Sequence, residues 1–469
     1  MLGLGLPVER LREFLQELNP EARAMLTAEL ERSLLRGEDT AGAESVLNEL
    51  RRSLRETGRR SPRMGHPARL FFLPIEPFLV DDALEHQHPG RIARAALEPI
   101  WQWISNVVMQ TFVASYTEQV DRAMAANDTA KAAQLAREFQ DAAAPRLQIA
   151  LDGVKNDDRA LRRFTLEVGT PLACEDVQII LGVLRARDRL AALGAQMQRH
   201  IKSLAGETLD SVKALLDSPA GRSPDVFPFA LIMVMNRLVS PWQLIRLATN
   251  AAGSDIAVRI ADTPYASCVT IVLAEIERMV GELAADLKSG RGVAVSAMLK
   301  DVHDAVRGVR TEINLSGDSA WSRQLATILT QISQALTAVI ELIPGRVRRL
   351  LRQNNKESAP SARLNSDDVA ETEALVGFVT TCRNYASELA VNEITVRTCS
   401  DLQQYLDTTT HTLLDALRVA NKAERPHLQS QVDAAVRFCA KLFGQEYAAL
   451  LAKAAEVAAH EPDRKVAKA

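Results

Sequence analysis

Turn-forming residues are scarce in this chain, and that scarcity constrains its fold more than any motif does. Twenty-two glycines and 19 prolines are spread over 469 residues, under a tenth of the sequence where about 12% is usual. Few breaks mean long elements. Ala, Leu, Arg and Glu dominate those elements, all strong helix formers, while aromatics amount to only 4%. The fold class expected is therefore all-α, with multi-helix bundles built from long amphipathic helices. Hydrophobic residues at 47% and charged ones at 25% are globular values, which excludes a chain disordered throughout. A formal charge of −3 excludes a binder whose whole surface is basic.

Apolar stripes and breaks divide the sequence into parts. Residues 1–57 read as an N-terminal helical hairpin or bundle, with Leu11, Phe14, Leu15 and Leu18 on one face and Val46, Leu47, Leu50 and Leu54 on another. A basic linker over 58–68 leads into a central all-helical domain, 69–352, and a polar linker over 353–367 separates it from a C-terminal bundle of three helices, 368–460, with a frayed tail, 461–469. Four Ser/Thr–Pro pairs, Thr170-Pro171, Ser223-Pro224, Ser240-Pro241 and Thr263-Pro264, read as N-caps with proline at the first helical position. The run Val226 to Met235 is about half of what a bilayer requires and reads as a buried core helix.

One stretch departs from the helical pattern. In Arg69 to Val80 the prolines Pro74 and Pro77 hold the residues before them out of the α region, so the segment about 69–80 is expected to be extended and very apolar. Around it the aromatics concentrate: Phe71, Phe72, Phe78, Trp101, Trp103, Phe112 and Tyr116 are a third of the chain's total. Aromatic side chains dominate interface energetics, and prolines reduce the entropy lost on docking. Phe71, Phe72, Phe78, Trp101 and Trp103 are accordingly the candidate partner-binding residues; the competing reading makes them core for the central helices.

Three further clusters could carry chemistry, one acidic and histidine-rich and two basic. If helical, Asp81, Glu85 and His88 fall at i, i+4 and i+7 on one face and Asp82 with His86 makes a second i, i+4 pair, a spacing at which Asp81, Glu85, His86 and His88 could chelate a divalent metal. Pro89 and Gly90 end that segment at once, so an exposed acidic and histidine-rich turn competes with the metal site. Arg51, Arg52, Arg55, Arg59, Arg60, Arg63 and Arg69 face Glu56 alone, and Arg346, Arg348, Arg349, Arg352 and Lys356 face no acid. The second group lies on an amphipathic helix with Ile343, Val347, Leu350 and Leu351 on its apolar side, which suits an anionic membrane surface or an acidic protein face. Nucleic acid is disfavoured, because no stacking aromatics interleave the cations. The alternative is a solvated helix end whose cations complement the macrodipole.

Enzyme signatures are lacking: the sequence holds no GxGxxG after a strand, GxxxxGK[ST], HExxH or GxSxG. No cofactor is implied. Cys174, Cys268, Cys382, Cys399 and Cys439 are odd in number and form no CxxC, which argues against a disulfide framework or structural zinc and for inert thiols in a reducing cytoplasm. No secretory signal opens the chain, and the Ala- and Arg-rich usage suits a bacterial source. The function expected is that of a non-enzymatic helical adaptor, scaffold or regulator binding a protein partner, with homo-oligomerisation open. The alternatives are a helical metalloprotein or enzyme using residues 81–88, and a peripheral membrane protein, at the inner face, using 346–356.

Overall fold

The computed structural model describes residues 65–81, 84, 86–288, 292–315, 319–352, 363–421 and 423–460, together with Leu26. The expected N-terminal helices over 1–57, the basic stretch before Gly65, Glu85, the polar stretch 353–362 and the tail 461–469 lie outside the described residues. The protein is all-α, with eighteen α-helices among those described. They form two compact units, one running to Glu275 and including Thr311–Asn314, the other comprising Ile276–Arg310 and the chain from Leu315 onward.

In the first unit, α1 (His66–Phe71) carries Pro67 in its first turn, where the missing N–H costs no bond. A 3-10 turn, Leu73–Phe78, follows, and only Leu79–Val80 (β1) is extended, pairing in parallel with Ile92–Ala93 (β2). The segment 69–80 is thus mostly helical rather than extended as expected. Pro74 sits in the first turn of the 3-10 helix, and so short a turn needs few N–H donors, so the prolines are accommodated. Next come α2 (Leu97–Trp103), α3 (Gln110–Ala125), α4 (Thr129–Lys155), α5 (Asp158–Val168) and α6 (Ala173–Gln196). Asp128 and Asp157 cap α4 and α5 by accepting the N–H groups of Lys131 and Arg159.

The hydrophobic core of this unit forms where α1 meets α2, α3 and α4. The Phe71 ring lies 4.9 Å from Phe72, 5.5 Å from Trp101 and 5.6 Å from Phe139. Tyr116 stacks on Phe139 at 4.2 Å and donates its hydroxyl to the Pro67 carbonyl at 2.9 Å. Burying rings of this size is worth about 2–3 kcal/mol each and fixes α1 against the longer helices. Beyond α6 lie α7 (Gly206–Asp217), α8 (Phe227–Met235), α9 (Ile245–Ala252) and α10 (Ala257–Ala261). As expected from its apolar run, α8 buries Leu231, Ile232, Val234 and Met235.

The Ser/Thr–Pro pairs behave in two ways. Ser240 is the N-cap of the 3-10 turn Pro241–Leu244, with proline first. The helices after Thr170, Ser223 and Thr263 begin only at Ala173, Phe227 and Ala266, because there the proline builds a preceding turn, as when Thr170 Oγ1 accepts from Leu172 N.

Helix α11 (Ala266–Lys288) contributes to both units. The second unit continues with α12 (Gly292–Glu312), α13 (Ala320–Ile340), α14 (Ile343–Leu351), α15 (Ser366–Asn384), α16 (Asn392–Val419), α17 (Arg425–Phe443) and α18 (Gln445–His460). The C-terminal bundle therefore has four helices where three were expected, since Gly444, at φ 94, turns the chain out of α17. The compact units divide within α11 and not at the polar linker 353–367. One reason is α14, which packs on α15, α16 and α17 and whose end is capped from α17: Gln431 Nε2 donates to the Leu350 and Arg352 carbonyls, both at 3.1 Å.

Among the described residues, Ala320–Leu351 is long and apolar enough to cross a membrane by length and composition alone. Its α13 portion buries one stripe, Leu325, Ile328, Ile332, Leu336 and Ile340, and sets Thr327, Thr330, Gln331 and Gln334 on the exposed side. That is the patterning of a helix packed on one face.

Candidate functional site

The aromatic residues offered by the sequence as a contact surface are interior. Phe71, Phe72, Phe78 and Trp103 are buried, and Trp101 is half-buried beside Phe71 and Phe139. Their apolar area is spent on the fold. What the same segment exposes is its smaller side chains: Leu73 is 58% exposed, and Pro77 lies open beside it.

These residues form one wall of an apolar groove of about 320 Å³, wholly within the first unit. Leu73, Pro74 and Pro77 come from the 3-10 turn, with Phe78 beneath them. Ala133 and Ala136 of α4 make the second wall, Leu190 and Ala191 of α6 the third, and Met233 of α8 adds to the lining. Small side chains on the helices leave the space open. Met233 reaches its place because residue 194 is glycine: a Cβ there would stand 2.8 Å from the Met233 methyl.

Four polar side chains also line the groove, Arg137, Gln140, Arg187 and Asp188. Gln140, only 2% exposed, donates Nε2 to the Phe71 carbonyl at 2.9 Å and to the Leu70 carbonyl at 3.3 Å. It thereby covers the C-terminal carbonyls of α1, which no intrahelical donor reaches. Its Oε1 is buried with no partner. Arg187 donates to the Leu184 carbonyl at 2.9 Å and to Asp141 at 2.6 Å, while its Nε is buried and unpaired. Arg137 stands exposed at the rim. A polar atom kept dry without a partner costs free energy, and Gln140 Oε1 and Arg187 Nε are both sealed from solvent with the groove empty, so they lie behind its surface.

The other candidates resolve differently. Asp81 pairs with Arg94 at 2.8 Å, and residues 86–90 are bends and turns, not helix. His88 is buried and its Nδ1 meets the Ala274 carbonyl at 3.1 Å, with His86 stacked on it. The i, i+4, i+7 face required for chelation is absent, and among the described residues no group of three or more His, Cys, Asp or Glu could hold a metal. On α14, Arg346 pairs with Glu371, Arg348 lies 5.6 Å over the Tyr405 ring, and Arg349 and Arg352 are exposed. Lys356 is outside the described residues.

A second hollow, of about 670 Å³, lies between α4, α6 and the start of α8. Several of its polar groups already satisfy one another: Lys155 donates to Gln178 at 2.6 Å and Gln148 to Asp152 at 2.8 Å. Behind its edge, burial and then the charge of Glu175 push the Asp176 carboxyl up to about 7. Asp176 Oδ1 is buried without a partner, but the residue does not line the hollow.

No known family, curated protein or solved structure matches this chain. The groove was only half legible in sequence. The proline-rich segment drew attention to its first wall. Gln140 and Arg187 lie far along the chain from that segment, on helices whose stripes read as ordinary core.

Proposed function

We propose that this protein is a non-enzymatic helical interaction protein, an adaptor, scaffold or regulator, that seats an apolar segment of a protein partner in the groove between the 3-10 turn, α4 and α6. The observation that carries this reading is the apolar groove itself, open beside the exposed side chains of Leu73 and Pro77. The prolines at its rim support it, since a wall held rigid before binding loses little entropy on binding. At about 320 Å³ the groove suits one or two side chains of a peptide.

The test is selection of a random 12-residue peptide display library on the purified full chain. Enriched peptides should bind wild type and lose binding to Leu73→Glu and Ala133→Glu, both exposed positions whose variants should melt like wild type. Failure to enrich any peptide, or equal binding by the two variants, refutes the reading.

A second reading, attachment of the second unit to an anionic membrane surface, draws on exposed Arg348, Arg349 and Arg352 beside Leu342 at 63% exposure. Co-sedimentation with phosphatidylserine vesicles at low salt tests it; equal recovery of wild type and Arg349→Glu/Arg352→Glu removes it.

A further inference from the structure

The groove lies close to the point where the N-terminal stretch of the chain joins the first unit. Resting on the reading above, we infer that in the free protein this stretch occupies the groove itself, through Leu50 and Leu54, and that a partner's segment binds by displacing it.

Charge does not choose the occupant, because Arg137 of α4 and Asp188 of α6 carry opposite signs at the rim. Connectivity does. The chain enters α1 at Gly65, its N-cap, and α1 leads through Leu70 directly into the wall made by Leu73, Pro74 and Pro77. The six residues of α1 carry the chain about 9 Å. Residues 58–64 span up to about 25 Å when extended, so whatever precedes Gly58 reaches the groove with length to spare. What precedes it is the expected amphipathic helix of Val46, Leu47, Leu50 and Leu54. Leu50 and Leu54 stand one turn apart on its apolar face, the spacing with which a helix sets two anchors into a groove. A groove of about 320 Å³ takes one or two such side chains. Leucine also brings no polar group that would need a partner there, and Leu73, Pro77, Ala133 and Ala136 offer it an aliphatic surface. A tether this short holds the helix at an effective concentration on the order of millimolar. A free partner has to compete with that.

The probes are a fluorescein-labelled peptide of residues 43–57 and the peptides selected above, measured by polarisation against the full chain. Leu50→Glu/Leu54→Glu should bind both kinds of peptide at least tenfold more tightly than wild type, the gain expected when an occupant that fills about nine-tenths of the grooves is removed. Adding Leu73→Glu should abolish that binding. Arg52→Glu, on the opposite side of the expected helix, should change nothing. A chain lacking residues 58–64 keeps both leucines but has only Gly65 between Thr57 and α1, fewer residues than a helical hairpin needs to turn back. It should show the same tenfold gain, so the test does not depend on the folding of the leucine variant. Selected peptides that bind wild type and the altered chains equally, or an equal gain from Arg52→Glu, overturn the inference and leave the groove reading standing. So does a 43–57 peptide that fails to bind Leu50→Glu/Leu54→Glu when the selected peptides bind it. A dimer in sedimentation that Leu50→Glu/Leu54→Glu dissolves overturns the inference as well, since the leucines then fill the groove of a second copy. Absence of binding by any peptide to any of these chains overturns both readings.

Discussion

Gln140 in the first unit and Gln431 in the second perform the same task on different ground. Each sits on one helix and donates Nε2 to two carbonyls at the C-terminal end of another, Leu70 and Phe71 in the one case, Leu350 and Arg352 in the other. Both leave Oε1 buried and unpaired. The orphaned oxygen is thus a by-product of capping a helix from the side, and by itself says nothing of a ligand. What distinguishes Gln140 is its neighbourhood: the residue lines an apolar groove, although its Oε1 is sealed from solvent there. An unsatisfied group becomes informative only where a ligand could reach it.

That contrast can be tested in order of expected size. Phe71→Ala and Phe438→Ala remove fully buried rings from the first and second units respectively, and each should cost about 3–5 kcal/mol in chemical denaturation. A loss below about 1 kcal/mol for Phe71→Ala would mean that the ring is not core, and would return it to the surface. Gln140→Leu and Gln431→Leu should each cost about 1–3 kcal/mol, since each uncovers helix-end carbonyls. They should part company on peptide addition: in wild type the Gln140 side-chain amide resonances move and those of Gln431 stay. Movement of both, or of neither, dissolves the distinction.

Asp176 offers a pH-dependent effect. Its carboxyl is pushed up to about 7 in the folded chain against about 3.9 in an unfolded one. Between those values the folded state holds the extra proton, so stability falls as pH rises through that window and the full penalty is present above about 7. Asp176→Asn should therefore raise stability by on the order of 2 kcal/mol at pH 8 and change little at pH 4. Equal effects at both pH values would show that the carboxyl titrates normally. Smallest of all, Arg349→Ala on the exposed side of α14 should move the melting free energy by less than about 0.5 kcal/mol.

Periodicity carried the fold class, because one-sided stripes such as Leu402, Leu406, Leu413 and Leu417 are buried together on α16. It carried less where backbone chemistry allowed two answers. Pro74 and Pro77 forbid an ordinary helix interior, but a 3-10 turn tolerates them, and burial then turned the phenylalanines inward and the leucine and prolines outward. The aromatic cluster was visible in sequence while its orientation was not, since orientation depends on Phe139 and Tyr116 arriving from α4 and α3. Charge clusters misled for a related reason. Asp81 and Arg346 each have a partner brought by the fold, Arg94 and Glu371. Gln140 was invisible because a glutamine on a helix face carries no signal until the end of another helix is placed against it.

All five cysteines are free and buried, and burial raises the Cys174, Cys268, Cys382, Cys399 and Cys439 thiols above their ordinary range. Low thiolate content and poor access together make them slow toward alkylating reagents. The native chain is therefore a blank background for maleimide chemistry. A single cysteine introduced at Ala133, on the exposed edge of the groove, would be its sole fast-reacting thiol, and a fluorophore placed there would report occupancy directly.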